Sequence, residues 1–190
     1  PGLRRLVHAM PDVPAVLLGR FGDILAWNRL GHALIAGHVD FAAPERPATR
    51  PNSARLVVLD PHTRDLYPDW PVKAREDVAY LRAAASRYPD DPQLAALVGE
   101  LSVKSQEFAT LWAAPPVREK RHGARPVTHP VVGAMTLTYE VLHLPDDGYV
   151  LTTFTAEPGT ASEAALQLLA GLTASGRAED QVTGPGPDPC

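Results

Sequence analysis

The side chains best suited to chemistry at neutral pH are seven histidines: His8, His32, His38, His62, His122, His129 and His143. None stands in an HxH or HExxH arrangement. No acidic cluster accompanies them at ligand spacing, so the sequence carries no metal motif. Asp60 and His62 stand close enough to suggest part of a hydrolytic triad. Asp60 directly precedes Pro61, however, and is better explained as a helix cap. There is no GxSxG, and the one cysteine, Cys190, is the last residue. No nucleophile is therefore placed beside a base, and enzyme activity is not expected. His129, before Pro130, reads as a turn residue bonded to the backbone.

The basic residues Arg118, Lys120, Arg121, His122 and Arg125 form the densest positive run. They lack interleaved aromatics and read as a solvated strand edge. The run could equally contact a DNA-binding domain or a second protomer, so a homodimer stays open. The formal net charge is −4, whereas a free-standing nucleic-acid binder carries a basic surplus to neutralise phosphates. Apolar runs fall far short of the ~20 residues a membrane span needs. Pro1–Met10 has no signal-peptide pattern, and the lone cysteine excludes an internal disulfide, which makes cytoplasm the expected compartment.

These residues must be positioned by elements that the patterning predicts. Leu3, Leu6, Val7 and Met10 form one helical stripe, which Pro11 ends. Ala15–Leu18 and Ile24–Trp27 read as a hairpin around Gly19 and Gly22. Asn28 then caps a short helix to Ile35, a role Asp would fill as well. His38–Pro51 reads as a loop. Asn52, Asp60, Asp69, Asp91 and Ser105 each precede a helical pattern. The longest runs from Asp69 to about Tyr88, with Trp70, Ala74, Val78, Leu81, Ala85 and Tyr88 inward. After Pro115-Pro116 the period changes to two. Strands are expected over Val117–Val127, Met135–Val141 and Val150–Ala156, with a bulge at Leu142–Leu144 and a turn at Pro145–Gly148. A closing helix, Ser162–Leu172, turns Ala165, Leu168, Leu169 and Leu172 inward. The residues from Ala174 to Cys190 read as a disordered tail, leaving 1–173 as the folded domain.

Two strands, a run of helices, three strands and a helix can close into one five-stranded antiparallel sheet covered by helices. The expected fold is α+β and PAS-like, with an enlarged helical insert between strands 2 and 3. PAS-like folds can hold flavin or haem. A photoreactive flavin needs a cysteine in the helical segment, and this chain has none there. Haem needs a helix histidine, for which only His32 is placed. No cofactor is expected.

Several stretches, in this order, resemble the ligand-binding domain of the MmyB-like family of Xre-type helix-turn-helix transcription regulators. They are Pro11-Asp12-Val13-Pro14-Ala15, Leu25-Ala26-Trp27-Asn28, Leu59-Asp60-Pro61 and Leu66-Tyr67-Pro68-Asp69-Trp70. Then come Tyr80-Leu81-Arg82, Pro89-Asp90-Asp91-Pro92, Leu97-Val98-Gly99-Glu100-Leu101, Phe108 with Leu111-Trp112, and His129-Pro130-Val131-Val132-Gly133. The resemblance implies a sensor that follows an N-terminal DNA-binding domain. That domain is absent here, so DNA binding is expected of a full-length protein only.

The resemblance also implies that part of the apolar core is a cavity for a small molecule such as a fatty acid. Trp70, Leu97, Leu101, Phe108, Trp112, Leu137, Tyr139 and Phe154 are the candidate lining. Arg82 or His129 is the candidate partner for a carboxylate. The alternative is a protein–protein interaction or dimerisation module whose core is fully packed and holds no ligand.

Overall fold

The computed structural model describes residues 2–115, 122–144 and 148–182, with side chains described as far as residue 175. Helix α1 is Gly2–His8. Strands β1 (Ala15–Leu18) and β2 (Ile24–Trp27) form the expected hairpin, with one register shift between Leu17 and Leu18. Gly22 takes a left-handed φ of 85° in its turn, which an L side chain adopts with strain. Helix α2 (Arg29–Ala36) follows at once. The chain from His38 to Pro51 contains two 3-10 turns, Ala43–Glu45 and Pro47–Thr49. Five helices come next: α3 (Ser53–Leu59), α4 (Pro61–Leu66), α5 (Trp70–Arg87), α6 (Pro92–Lys104) and α7 (Gln106–Ala113). Strands β3 (His122–His129), β4 (Gly133–Leu144) and β5 (Tyr149–Thr155) lead to α8 (Ala161–Val182).

The strand order is β2-β1-β5-β4-β3, antiparallel throughout. Strand β5 pairs with β1, so the last strands return beside the first across the helical insert. This is the expected α+β, PAS-like sheet with its insert between β2 and β3. Among the described residues no helix is long and apolar enough to cross a membrane.

Two buried asparagines fasten the hairpin to what surrounds it. Asn28 Oδ1 accepts from Gly31 N at 2.6 Å, the expected cap, and also from Ala15 N at 3.1 Å. Its Nδ2 donates to Met10 O and Val13 O. Asp has no donors to replace these, which overturns the expected equivalence of Asn and Asp here. Gly31 is required as well, because a Cβ there would lie 2.5 Å from Ala15 O. Asn52 caps α3 through Ala54 N and Arg55 N, while its Nδ2 donates to Phe21 O and Asp23 Oδ1, each at 2.9 Å. The caps at Asp60, Asp91 and Ser105 also form, through Thr63 N, Gln93 N and Phe108 N. Asp69 occupies the cap position of α5 without a side-chain bond to it.

Three expectations need correction. Strand β4 pairs with β5 without a bulge from Thr138 to Leu144. Its apolar residues instead change faces. Leu144 packs with Val7, Leu17 and Leu151 on the opposite side of the sheet, under α1. The helices thus cover part of both faces. Helix α8 turns Ala165, Leu166, Leu169 and Ala170 inward, whereas Leu168 and Leu172 are exposed. It also continues through Ala174 to Val182, a stretch with one glycine and no proline. The Gly- and Pro-rich remainder from 183, the start of the expected strand at Val117, and the Pro145–Asp147 turn lie outside the described residues.

Candidate functional site

A cavity of about 130 Å³ lies between the sheet and the helical insert. Its sheet side is apolar at β1, β2 and β5, through Val16, Leu18, Ile24, Val150 and Phe154. The alternation of β1 makes this possible. Val16 and Leu18 point to the insert, while Ala15 and Leu17 point to α1. The helical side is formed by Leu56 and Val57 of α3, Thr63 of α4 and the polar flank of α5.

Buried charge gathers at one end. Lys73 and Asp77, one turn apart on α5, form an ion pair, and Glu76 pairs with Arg125 of β3. Arg125 lies over Tyr139 at 4.7 Å and Tyr67 at 5.7 Å from the ring centroids, and Lys73 lies 5.8 Å from Tyr67. Tyr139 Oη donates weakly to Glu76 Oε1 at 3.5 Å. Asp77 Oδ2 is buried with no hydrogen-bond partner. Burial pushes the Asp77 carboxyl above the ordinary carboxylate range, against the pull of Lys73. Burial likewise raises the Tyr67 and Tyr139 hydroxyls, with Glu76 adding to Tyr139. At Arg125 burial acts downward, but the bond to Glu76 outweighs it and leaves the guanidinium above its usual value.

Of the ten residues expected around a ligand, Tyr139 and Phe154 line this cavity. Trp70 and Leu137 sit in the packed cluster beside it, where Trp70 Nε1 donates to Val57 O at 2.6 Å. Leu97, Leu101 and Phe108 belong to a separate cluster among α3, α5, α6 and α7, with Trp112 against it. Arg82 is turned to that side too. Its guanidinium donates to the carbonyls of Leu111, Trp112 and Ala114 and so closes the end of α7. His129 is the expected turn residue. Its Nε2 donates to Ala33 O at 2.9 Å, and its Nδ1 accepts from Val131 N and Val132 N. Both ring nitrogens are thereby engaged. His32 is engaged as well, through Val39 O at 2.7 Å, between the rings of Trp27 and Phe41.

Sequence reasoning passed over Lys73, Glu76, Asp77 and Arg125. Arg125, read as part of a solvated edge, is mostly buried. Its register held the signal, because Arg125 lies opposite Leu137 and Val127 opposite Met135, so it shares the inward face. Of the other run members, His122 is exposed, and Arg118, Lys120 and Arg121 lie outside the described residues.

A PAS-like sheet with an apolar cavity under its helical cover, and buried charge at one end, is an arrangement suited to holding a small molecule. The sequence comparison makes the class specific. Residues 1–169 match the family described as the MmyB-like transcription regulator ligand binding domain, and the chain belongs to that family. No curated protein matches it.

Proposed function

We propose that this sensor domain binds a fatty acid in the cavity between the sheet and α3–α5, and that occupancy governs DNA binding by another domain of the regulator. The observation that carries the ligand reading is the cavity itself. A fully packed interaction module has no use for about 130 Å³ of apolar-walled space beside buried charge. The acyl chain lies against Val16, Leu18, Ile24, Leu56 and Val150. Arg82 and His129, engaged elsewhere, give way to Arg125 and Lys73 as partners for the carboxylate. An arriving carboxylate displaces Glu76 or Asp77 from its cation, and Asp77, already pushed upward, takes up a proton as it is displaced.

The volume sets a scale. A cavity of roughly 150 Å³ takes up benzene, so a short chain fits the described space and longer ones require the cover to move. The test is thermal unfolding of delipidated protein with saturated acids of increasing length. Each methylene that enters contributes about 0.8 kcal/mol before ordering costs, so the melting temperature rises with length and then levels off. Arg125→Met should flatten the dependence on the carboxylate while leaving the dependence on length. A flat series for every acid, with no lipid released on denaturation, would instead favour the ligand-free interaction module.

A further inference from the structure

Outside the cavity, the fold brings His38 beside Asp60 and His62, which are neighbours in the sequence. His38 follows the end of α2, Asp60 joins α3 to α4, and His62 lies in the first turn of α4. His38 Nε2 is 3.0 Å from Asp60 Oδ2, and His62 Nδ1 is 3.6 Å from Asp60 Oδ1. One donor atom from each of the three can be chosen so that all lie within 4.8 Å of one another. We propose that His38, Asp60 and His62 form a binding site for a divalent transition-metal ion of the zinc, cobalt or nickel class.

The geometry carries this reading. Ligand bonds of about 2.1 Å meeting at 90–109° place neighbouring donor atoms about 3.0–3.4 Å apart. The two separations, one to each oxygen of Asp60, lie close to that range, and with all three donors within 4.8 Å the exposed side chains close on an ion by rotation alone. The imidazole rings are stacked, 15° apart with centroids 4.5 Å from each other. An imidazole binds a metal in its own ring plane, so the exposed His62 ring turns out of the stack when the ion enters, while both rings already border the one carboxylate. Two imidazoles with one carboxylate select borderline transition metals over magnesium or calcium, which take oxygen ligands.

The carboxylate is also held in place. Thr63 donates to Asp60 Oδ2 from its backbone N at 2.8 Å and from its Oγ1 at 2.6 Å. The carboxylate therefore has a fixed orientation, supported from behind as metal-bound carboxylates are. His62 is exposed at the surface, which leaves room for water to complete the coordination shell. Bound metal would tie the end of α2 to the start of α4, whose Thr63 lines the cavity.

The experiment is a cobalt titration of the untagged chain, read by visible absorption, followed by displacement with zinc. The expected result is a saturable band at one equivalent that zinc abolishes. His38→Gln and His62→Gln each remove the band while the metal-free chain keeps a cooperative thermal transition, because neither side chain belongs to a core cluster. Thr63→Ala weakens binding about tenfold through the lost support. No saturable band in the native chain overturns the proposal. So does a band that survives either histidine substitution, which would place the metal elsewhere.

Discussion

The two flanks of α5 lead to different interiors. One flank presents Val78, Leu81 and Ala84 to α6 and α7, where Leu97, Leu101 and Phe108 fill the space between helices. The other presents Lys73, Glu76, Asp77 and Tyr80 to the sheet, where the cavity lies. The apolar stripe built a solid core, and the polar stripe borders the empty volume. An apolar surplus in an insert is therefore a poor guide to a cavity, because close packing absorbs it. Buried charge is the better guide, since it is expensive to bury and is retained beside space that something else can fill.

The largest expected effect tests the packed side. Phe108 is 1% exposed and stacks on Trp112 at 5.8 Å between centroids. Phe108→Ala should destabilise the fold by about 3–5 kcal/mol in urea unfolding. The folded fraction should still show the melting response to acids. If that response vanished while the fold survived, the two interiors would not be independent.

Next in size is Asn28→Asp, which probes how the sheet beside the cavity is anchored. Met10 O and Val13 O both lose their donor and gain a carboxylate neighbour, so about 3 kcal/mol of stability should be lost. Asn28→Ala should lose a similar amount. If Asp proved nearly neutral, the capping bond to Gly31 N would be the whole role of Asn28.

Asn28 also shows where sequence reading stops. Its cap was legible because capping is local, as it was for Asn52, Asp60, Asp91 and Ser105. Its two donor bonds were not, because Met10 and Val13 precede it by a distance that only folding closes. The succession of two strands, helices, three strands and a helix was legible from the switch between periods 3.6 and 2. The faces of β4 and α8 were less so, because apolar residues such as Leu144 served a second cluster under α1. Of the candidate lining, α5 supplied only Trp70, and Lys73, Glu76 and Asp77 further along the same helix went unnoticed. Lys73 and Asp77 look like an ordinary surface pair at i, i+4 until Arg125 and the sheet close over them. The Asp60–His62 pair stood out in the sequence, but the approach of His38 to it did not, because His38 follows α2 and reaches the pair only through folding.

A filling substitution acts on the cavity side. Thr152 of β5 lines the cavity between Val150 and Phe154 of the apolar wall. Thr152→Ile replaces its hydroxyl with an ethyl group there, so stability should rise by about 1 kcal/mol. The stabilisation by acids should shrink in the same variant. A loss of stability of similar size would mean that the wall is already closely packed at this point.

The smallest effect expected is one of slope, and it tests whether the cavity side really holds a strained charge. Burial raises the Asp77 carboxyl, so the folded chain holds that proton to higher pH than the unfolded chain does. Between the ordinary carboxylate range and the raised value, the folded state binds more protons, and stability falls as pH rises. Asp40, Asp60, Glu100 and Glu107 are shifted downward and act in the opposite sense, gaining stability as pH rises. The sum in the native chain is therefore uninformative, and a difference is needed. Asp77→Asn removes one titration and leaves the other four in place. The variant should gain on the native chain as pH increases from about 4 toward 7, by less than the roughly 1.4 kcal/mol per pH unit that one whole proton would give. Lys73 loses its ion-pair partner in the variant, and that loss offsets the whole curve. Thermal unfolding of the two chains over that interval gives the difference directly. A flat difference, or one that falls with pH, would mean that Lys73 holds Asp77 ionised throughout, and the two flanks of α5 would then differ in packing but not in stored charge.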